Sequence, residues 1–337
     1  MNGSYHFCAK VLTSSFTNDT IAREVKGLNR VLADWVLVLV TFVWGATFVV
    51  VQDAIKDIPV FAFLAIRFLS AGVILLFAAL LLKRGRAALR TFSLWKNGLI
   101  LGFWLYAGYA FQTLGLMHTT AAKSGLITGL CVALVPIFSI FLLRHKPPRG
   151  AFIGVGIATL GLFLLSGIRS GTVNIGDLLT LLCAIAFAIQ IVLMAKHARE
   201  HDPLTLAAVQ ILFVGVLSEF SSLFMRESLH LIATSLTVPT VWIALLICSL
   251  LATVIAYFAQ AAFQRYTTPT KTALIFSLEP VFAALVAVWY GGESLTLFSI
   301  FGGFLIVAGM LTAEFSGQER AHSRKKQGER PAKQSTL

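Results

Sequence analysis

Ten apolar runs set the terms on which this chain can fold. They are Trp35–Val51, Val60–Leu82, Gly98–Leu116, Ala121–Leu143, Gly150–Ile168, Leu178–Ala195, Leu204–Met225, Thr240–Phe263, Thr270–Tyr290 and Leu297–Phe315. At 1.5 Å per residue, a helix of about 20 residues crosses the ~30 Å hydrocarbon core of a bilayer, and each run supplies roughly that length. In lipid only helices and closed barrels satisfy their own backbone, and runs this long favour helices. The expected fold class is therefore all-α integral membrane, with ten transmembrane helices. Composition agrees: 57% of residues are hydrophobic and 12% charged, against about 25% charged in soluble domains.

The net charge of +12 would also suit a nucleic-acid surface. The basic residues, however, lie in short loops and tails between apolar runs, so nucleic-acid binding is set aside. Twenty-two of the 27 Lys and Arg fall on one set of alternating segments and 4 on the other, with Arg67 inside a span. By the positive-inside rule both termini are expected in the cytoplasm. Cys131, Cys183 and Cys248 lie in apolar runs and Cys8 in the leading segment, with no metal-ligand spacing among them. No metal site and no cofactor is expected. Residues 1–32 read as a cytoplasmic N-terminal tail without a cleavable signal, and 316–337 as a basic cytoplasmic C-terminal tail.

The chain also repeats. At an offset of 148, Thr119, Thr120, Lys123, Leu126, Ile127, Gly154 and Gly161 fall on Thr267, Thr268, Lys271, Leu274, Ile275, Gly302 and Gly309. At 144, Pro59 falls on Pro203 and Pro136 on Pro280. The halves are 33–168 and 177–315, five spans each. Five is odd, so the second copy must enter the membrane from the opposite side, giving a 5+5 inverted repeat. That architecture serves alternating access around one midplane site. Two bundles packed for stability alone would leave the same pattern.

Short motifs add a resemblance: Trp44–Gly45, Arg67–Phe68, Pro136, Leu278–Glu279–Pro280 and Gly292–Glu293, within the ten-span pattern. Over roughly residues 33–315 the chain resembles the EamA-type family of the drug/metabolite transporter superfamily. The resemblance implies a pump or exchanger of small organic metabolites in the cytoplasmic membrane, and leaves the solute unnamed.

The residues themselves offer a site. Glu279 stands beside Pro280 near the middle of the ninth span, and Arg67 near the middle of the second. A lone charge at that depth costs several kcal/mol, so each must face the protein interior or pair. They serve either a substrate-carboxylate or proton-handling site, or a structural clamp between helices. Thr253, Tyr257, Gln260 and Gln264 form one stripe at helical spacing on the eighth span, expected to line a cavity or bond neighbouring helices. The third span sets Phe103, Tyr106, Tyr109 and Thr113 close to one face, and Thr128 is central in the fourth. Substrate-cavity candidates are thus Tyr106, Thr128, Thr253, Tyr257, Gln260 and Glu279. Trp44, Arg67, Phe103, Tyr109, Gln190 and Lys271 form a weaker second set, in which packing, helix–helix bonding or, for Lys271, snorkelling competes with a site role.

The glycines of the fifth and tenth spans suggest scaffold helices or a homodimer contact. The expected activity is secondary transport, as exporter or exchanger, of a metabolite such as an amino acid or drug-like solute across a bacterial inner membrane. No Walker-type motif is present, so the driving force would be proton coupling or solute exchange. A lipid flippase or lipid-sensing protein is the alternative, and a membrane enzyme a weaker one. No catalytic residues are expected.

Overall fold

A computed structural model describes residues 30–47, 50–51, 53–118, 121–144, 147–165, 174–291 and 297–328. The tail at 1–29, Phe48, Thr119, Thr120 and Gly292–Glu293 lie outside the described residues. Every described element is helical. α1 (Arg30–Thr47), α2 (Val60–Leu81), the short α3 (Lys83–Ala88) and α4 (Phe92–Leu116) come first. α5 (Ala121–Gly129), α6 (Cys131–Leu143) and α7 (Arg149–Leu165) follow. The second part holds α8 (Ile175–His197), α9 (Pro203–Phe224), α10 (Leu229–Ser235) and α11 (Pro239–Ser249). A π-helical segment, Leu250–Ile255, leads directly into α12 (Ala256–Phe263). α13 (Pro269–Phe276), α14 (Glu279–Gly291) and α15 (Leu297–Gly328) complete the chain.

Among the described residues, six helical stretches are long and apolar enough to cross a membrane: α1, α2, α4, α8, α9 and the continuous run from α11 to Tyr266. Shorter apolar helices lie at Ile127–Leu143, Arg149–Leu164 and Ile300–Ala313. Large apolar side chains cover the flanks, among them Phe77, Phe141, Phe163, Phe220, Trp289 and Phe304, each more than half exposed. Such a surface is stable only against lipid.

Local chemistry places the helix ends. An Asn174–Asp177 capping box starts α8; Asp202 caps α9 and Thr268 caps α13, each with proline next, where its missing N–H costs nothing. α2 has no cap of its own after Pro59. Glu227, just past α9, supplies one: its carboxylate accepts from the Phe61 and Ala62 amides at 3.0 and 2.7 Å. α15 continues to Gly328, past the apolar run and into the expected tail, whose Glu, Gln, Arg and Lys are good helix formers.

Neither in-span proline sits at the helix interruption beside it. Pro136 sits inside α6, and the helix breaks at Leu130, well before it. A proline conflicts with the carbonyl four residues back, so its disturbance falls toward the preceding turn. Pro280 occupies the first turn of α14, and the break is at Ser277–Leu278.

Close helix crossings recur in exchanged pairs. α7 packs against α15, where a methyl group on Gly161 would lie 2.6 Å from the Gly302 carbonyl oxygen and one on Gly309 2.5 Å from that of Gly154. α2 packs against α9 in the same manner. A methyl on Gly72 would meet the Leu212 backbone at 2.7 Å, and one on Gly215 would meet Leu69 at 2.6 Å. The glycines of α7 and α15 therefore face each other within the chain. Only outward ones such as Gly156, with open space beside it, remain for the dimer contact considered from sequence.

Candidate functional site

The π-helical segment organises the centre of the molecule. One extra residue in the turn shifts the hydrogen-bond ladder and frees carbonyls along it. Thr253 Oγ1 donates to the Cys248 carbonyl at 2.8 Å and accepts from Arg67 Nε at 2.9 Å. The Ala252 carbonyl accepts from Trp44 Nε1 at 2.9 Å. Arg67 is 4% exposed. Its guanidinium carbon lies 4.9 Å from the Phe68 ring centroid and 5.3 Å from that of Tyr109. The Tyr109 side chain also stands within hydrogen-bonding reach of the guanidinium.

Around this arginine stands an aromatic frame. The Tyr109 and Tyr257 hydroxyls are hydrogen-bonded at 2.8 Å. Trp44 packs on Tyr257 with centroids 5.4 Å apart, and Phe187 packs on Tyr109 at the same separation. Phe276 meets the other edge of Trp44 at 5.0 Å. Glu279, the first residue of α14, is partly buried, and its carboxylate lies within electrostatic reach of Arg67, Tyr109 and Tyr257. No described residue hydrogen-bonds that carboxylate or forms an ion pair with it. Gly45 explains how α14 comes so close: a methyl there would sit 2.7 Å from the Glu279 carbonyl oxygen.

The structure brings Trp44, Arg67, Tyr109, Thr253, Tyr257 and Glu279 into this one cluster. Thr128 instead bridges α4 and α8, 3.5 Å from Gln112 Nε2 and 3.8 Å from Cys183 Sγ. Gln260 faces inward, into a separate buried amide chain. Its Nε2 reaches Gln190 Oε1 at 3.4 Å and Gln264 Oε1 at 3.1 Å, Gln190 Nε2 donates to Gln210 Oε1 at 3.2 Å, and Gln264 Nε2 donates to the Ile191 carbonyl at 2.7 Å. Gln190 thus bonds helix to helix, the structural option left open from sequence. Tyr106 bonds Ser221 across α4 and α9, apart from the Tyr109 pair. Lys271 reaches Asp34 Oδ2 at 2.6 Å, tying the start of α13 to the start of α1.

One candidate is misplaced. Phe103 is 50% exposed, on the outer surface edge-on to Trp104. Each three-residue step on a helix falls 60° short of a full turn, so Phe103 and Tyr109 lie 120° apart rather than on one face. The sequence reading also passed over Asn97, His197, Glu200 and His201. The spacing His197-x-x-Glu200-His201, with imidazoles four residues apart, was the available signal. Burial pushes the His201 imidazole below its usual pKa, with Glu200 acting in the opposite sense.

The contacts define two ends. Arg84–Asp202, Asn97–His201, Arg199 with the Arg265 and Thr267 carbonyls, and Lys271–Asp34 gather at one, the Lys- and Arg-rich end. Glu227 on α2 and Ser235 on the Asp57 carbonyl mark the other. Glu219 is exposed there, beside a cleft of about 380 Å³ that Arg226 and Glu227 also line.

Comparison with known proteins decides the family. A model described as the EamA-like transporter family matches residues 31–167 and again 174–313. The chain belongs to the EamA-like transporter family. It is similar to an uncharacterized transporter of Archaeoglobus fulgidus, 36% identical over 85% of this chain and 87% of the relative. The uncharacterized inner membrane transporter YedA of Escherichia coli is 27% identical, over 75% of this chain and 81% of its own length. A crystal structure sharing 21% identity matches at TM-score 0.71, over 86% of this chain and 99% of that one, and establishes the fold alone. With its apolar helices, this EamA protein is a multi-pass inner membrane transporter.

Proposed function

We propose that the protein is an alternating-access secondary transporter, an exporter or exchanger, whose central site takes a small amphoteric solute of the amino-acid type. One observation carries this reading: the buried Arg67 guanidinium and the Glu279 carboxylate stand within electrostatic reach of each other, with no ion pair between them among the described residues. Buried charges of opposite sign that do not meet directly are costly, and a solute carboxylate matches the guanidinium fork. The free Glu279 carboxylate supplies the opposite charge for an ammonium group, or takes a proton when the solute leaves. The Tyr109, Tyr257, Trp44 and Phe187 frame fixes the aliphatic part.

The proposed 5+5 inverted repeat supports the mechanism. Tyr109 and Tyr257, which meet at the centre, are 148 residues apart. Trp44 corresponds to Phe187 at an offset of 143, so the two ring pairs exchange halves. Under the same offsets Gly154–Gly309 maps onto Gly302–Gly161, and Gly72–Leu212 onto Gly215–Leu69. Contacts that map onto themselves on exchange are the mark of a two-fold relation. Ten spans with both termini in the cytoplasm follow from this reading. The halves then rock about the Tyr109–Tyr257 pair, opening the Lys- and Arg-rich end and the opposite end in turn.

The test is counterflow in proteoliposomes loaded with mixed amino acids. Zwitterions should compete, while the corresponding amines and deaminated acids should not. Glu279→Gln should lower uptake at least tenfold with the folded yield unchanged. Uptake indifferent to both charged groups of the solute would overturn the assignment.

A further inference from the structure

We propose that His197, Glu200 and His201 form a divalent transition-metal site, of the zinc class, in the turn between α8 and α9. The donor atoms of the three side chains lie within 4.8 Å of one another. His197 Nδ1 is 2.8 Å from Glu200 Oε2. Zinc binds imidazole nitrogen at about 2.0–2.1 Å and carboxylate oxygen at about 2.0–2.2 Å, so only small side-chain rotations separate the present spread from a coordination shell. The spacing i, i+3, i+4 at a helix end presents all three residues on one side. His197 is anchored, 7% exposed, while Glu200 and His201 open toward solvent and give the ion a path in.

The neighbours fit the same purpose. Asn97, from the start of α4, has its Nδ2 2.8 Å from His201 Nε2 and 3.4 Å from Glu200 Oε2, so the amide holds both side chains at the α4 surface until an ion displaces it. The adjacent charges are committed elsewhere: Arg199 donates to the Arg265 and Thr267 carbonyls, and Asp202 caps α9 and pairs with Arg84. Lys196 already stands in the last turn of α8 as a cation facing its carbonyl end. Two imidazoles converging on one carboxylate are not explained by capping. Three protein donors leave a fourth position for water or a small anion. The site lies in a loop, apart from the Arg67 and Glu279 cluster, and its occupancy would pin the α8–α9 turn against α4.

The experiment uses the untagged full-length protein in detergent, titrated with cobalt(II) and then with zinc(II). Expected is one cobalt per chain with the visible absorption of a tetrahedral or five-coordinate ion, displaced by zinc. His201→Ala should weaken binding at least tenfold, and Glu200→Gln should weaken it as well. His201 is only partly buried, so its variant keeps the site testable should His197→Ala fail to fold. A featureless cobalt spectrum, or binding unchanged in His201→Ala and Glu200→Gln, overturns the proposal.

Discussion

Arg67 matters for the shape of its charge as much as for its sign. Its Nε bond to Thr253 and its contacts with the Phe68 and Tyr109 rings hold the planar guanidinium in place at the centre of the molecule. Lysine keeps the charge but offers neither the fork nor the planar stack. Arg67→Lys should therefore weaken solute binding about tenfold to a hundredfold, the range of a charge-assisted hydrogen bond of about 1.5–3 kcal/mol, as read by titration calorimetry with the transported solute. Binding equal to the unaltered protein would remove the fork from the site. The paired tyrosines make a milder prediction. Tyr257→Phe removes one interhelical hydrogen bond, worth about 0.6 kcal/mol in membrane proteins, and should lower the Tm only slightly. Tyr109→Phe breaks the same bond and should match it, whereas a much larger loss in one would separate the two roles.

At the scale of the element, the decisive features are a π-segment, two interruptions and a glycine crossing. The π-segment gives Trp44 a carbonyl and presents Thr253 to Arg67, and the interruption before Glu279 brings that carboxylate to a helix start. Where α7 crosses α15, overpacking costs typically about 1–3 kcal/mol, and more when the obstacle is backbone. Gly161→Val should thus sharply reduce the folded fraction by size exclusion in detergent. Gly156→Val, which meets nothing, should not. Equal tolerance of both substitutions would mean that the crossing is looser than described. The Lys271–Asp34 pair links α13 to α1 at the basic end, where the proposed rocking would part the halves. Neutralising Asp34→Asn should raise the labelling of a cysteine placed at that end and lower net transport. The reversed pair, Asp34→Lys with Lys271→Asp, should restore both at least in part. Failure of the exchange alongside unchanged labelling in Asp34→Asn would mark the pair as surface decoration.

For the whole molecule, the ends differ in charge and the flanks in polarity. Lys and Arg gather at one end, so reporter fusions at residue 1 and residue 337 should both register as cytoplasmic. Opposite signals would break the inverted repeat at once, because two five-span halves return the chain to the side it left. The apolar exterior and the length of the long helices could be read directly from the residues, because each records its solvent locally. The inward stripe of Thr253, Tyr257, Gln260 and Gln264 could be read for the same reason: a helix's period is fixed by its geometry. Phe103 was misassigned because three-residue steps drift around that same helix. The division of the stripe, with Thr253 and Tyr257 at the arginine and Gln260 and Gln264 in the amide chain, depended on which helices stand opposite and left no local trace.

The sequence alone determined the solvent of this protein, its membrane helices and the two charges that hydrocarbon would not tolerate unattended. Those follow from transfer free energies and helical periodicity, which act residue by residue. Only the tertiary structure decided that Arg67 meets Thr253, that Tyr109 finds Tyr257, and that Asn97 comes to stand beside the His197–Glu200–His201 turn. Those are meetings between distant segments, and interhelical packing selects among the many pairings that the same apolar faces allow.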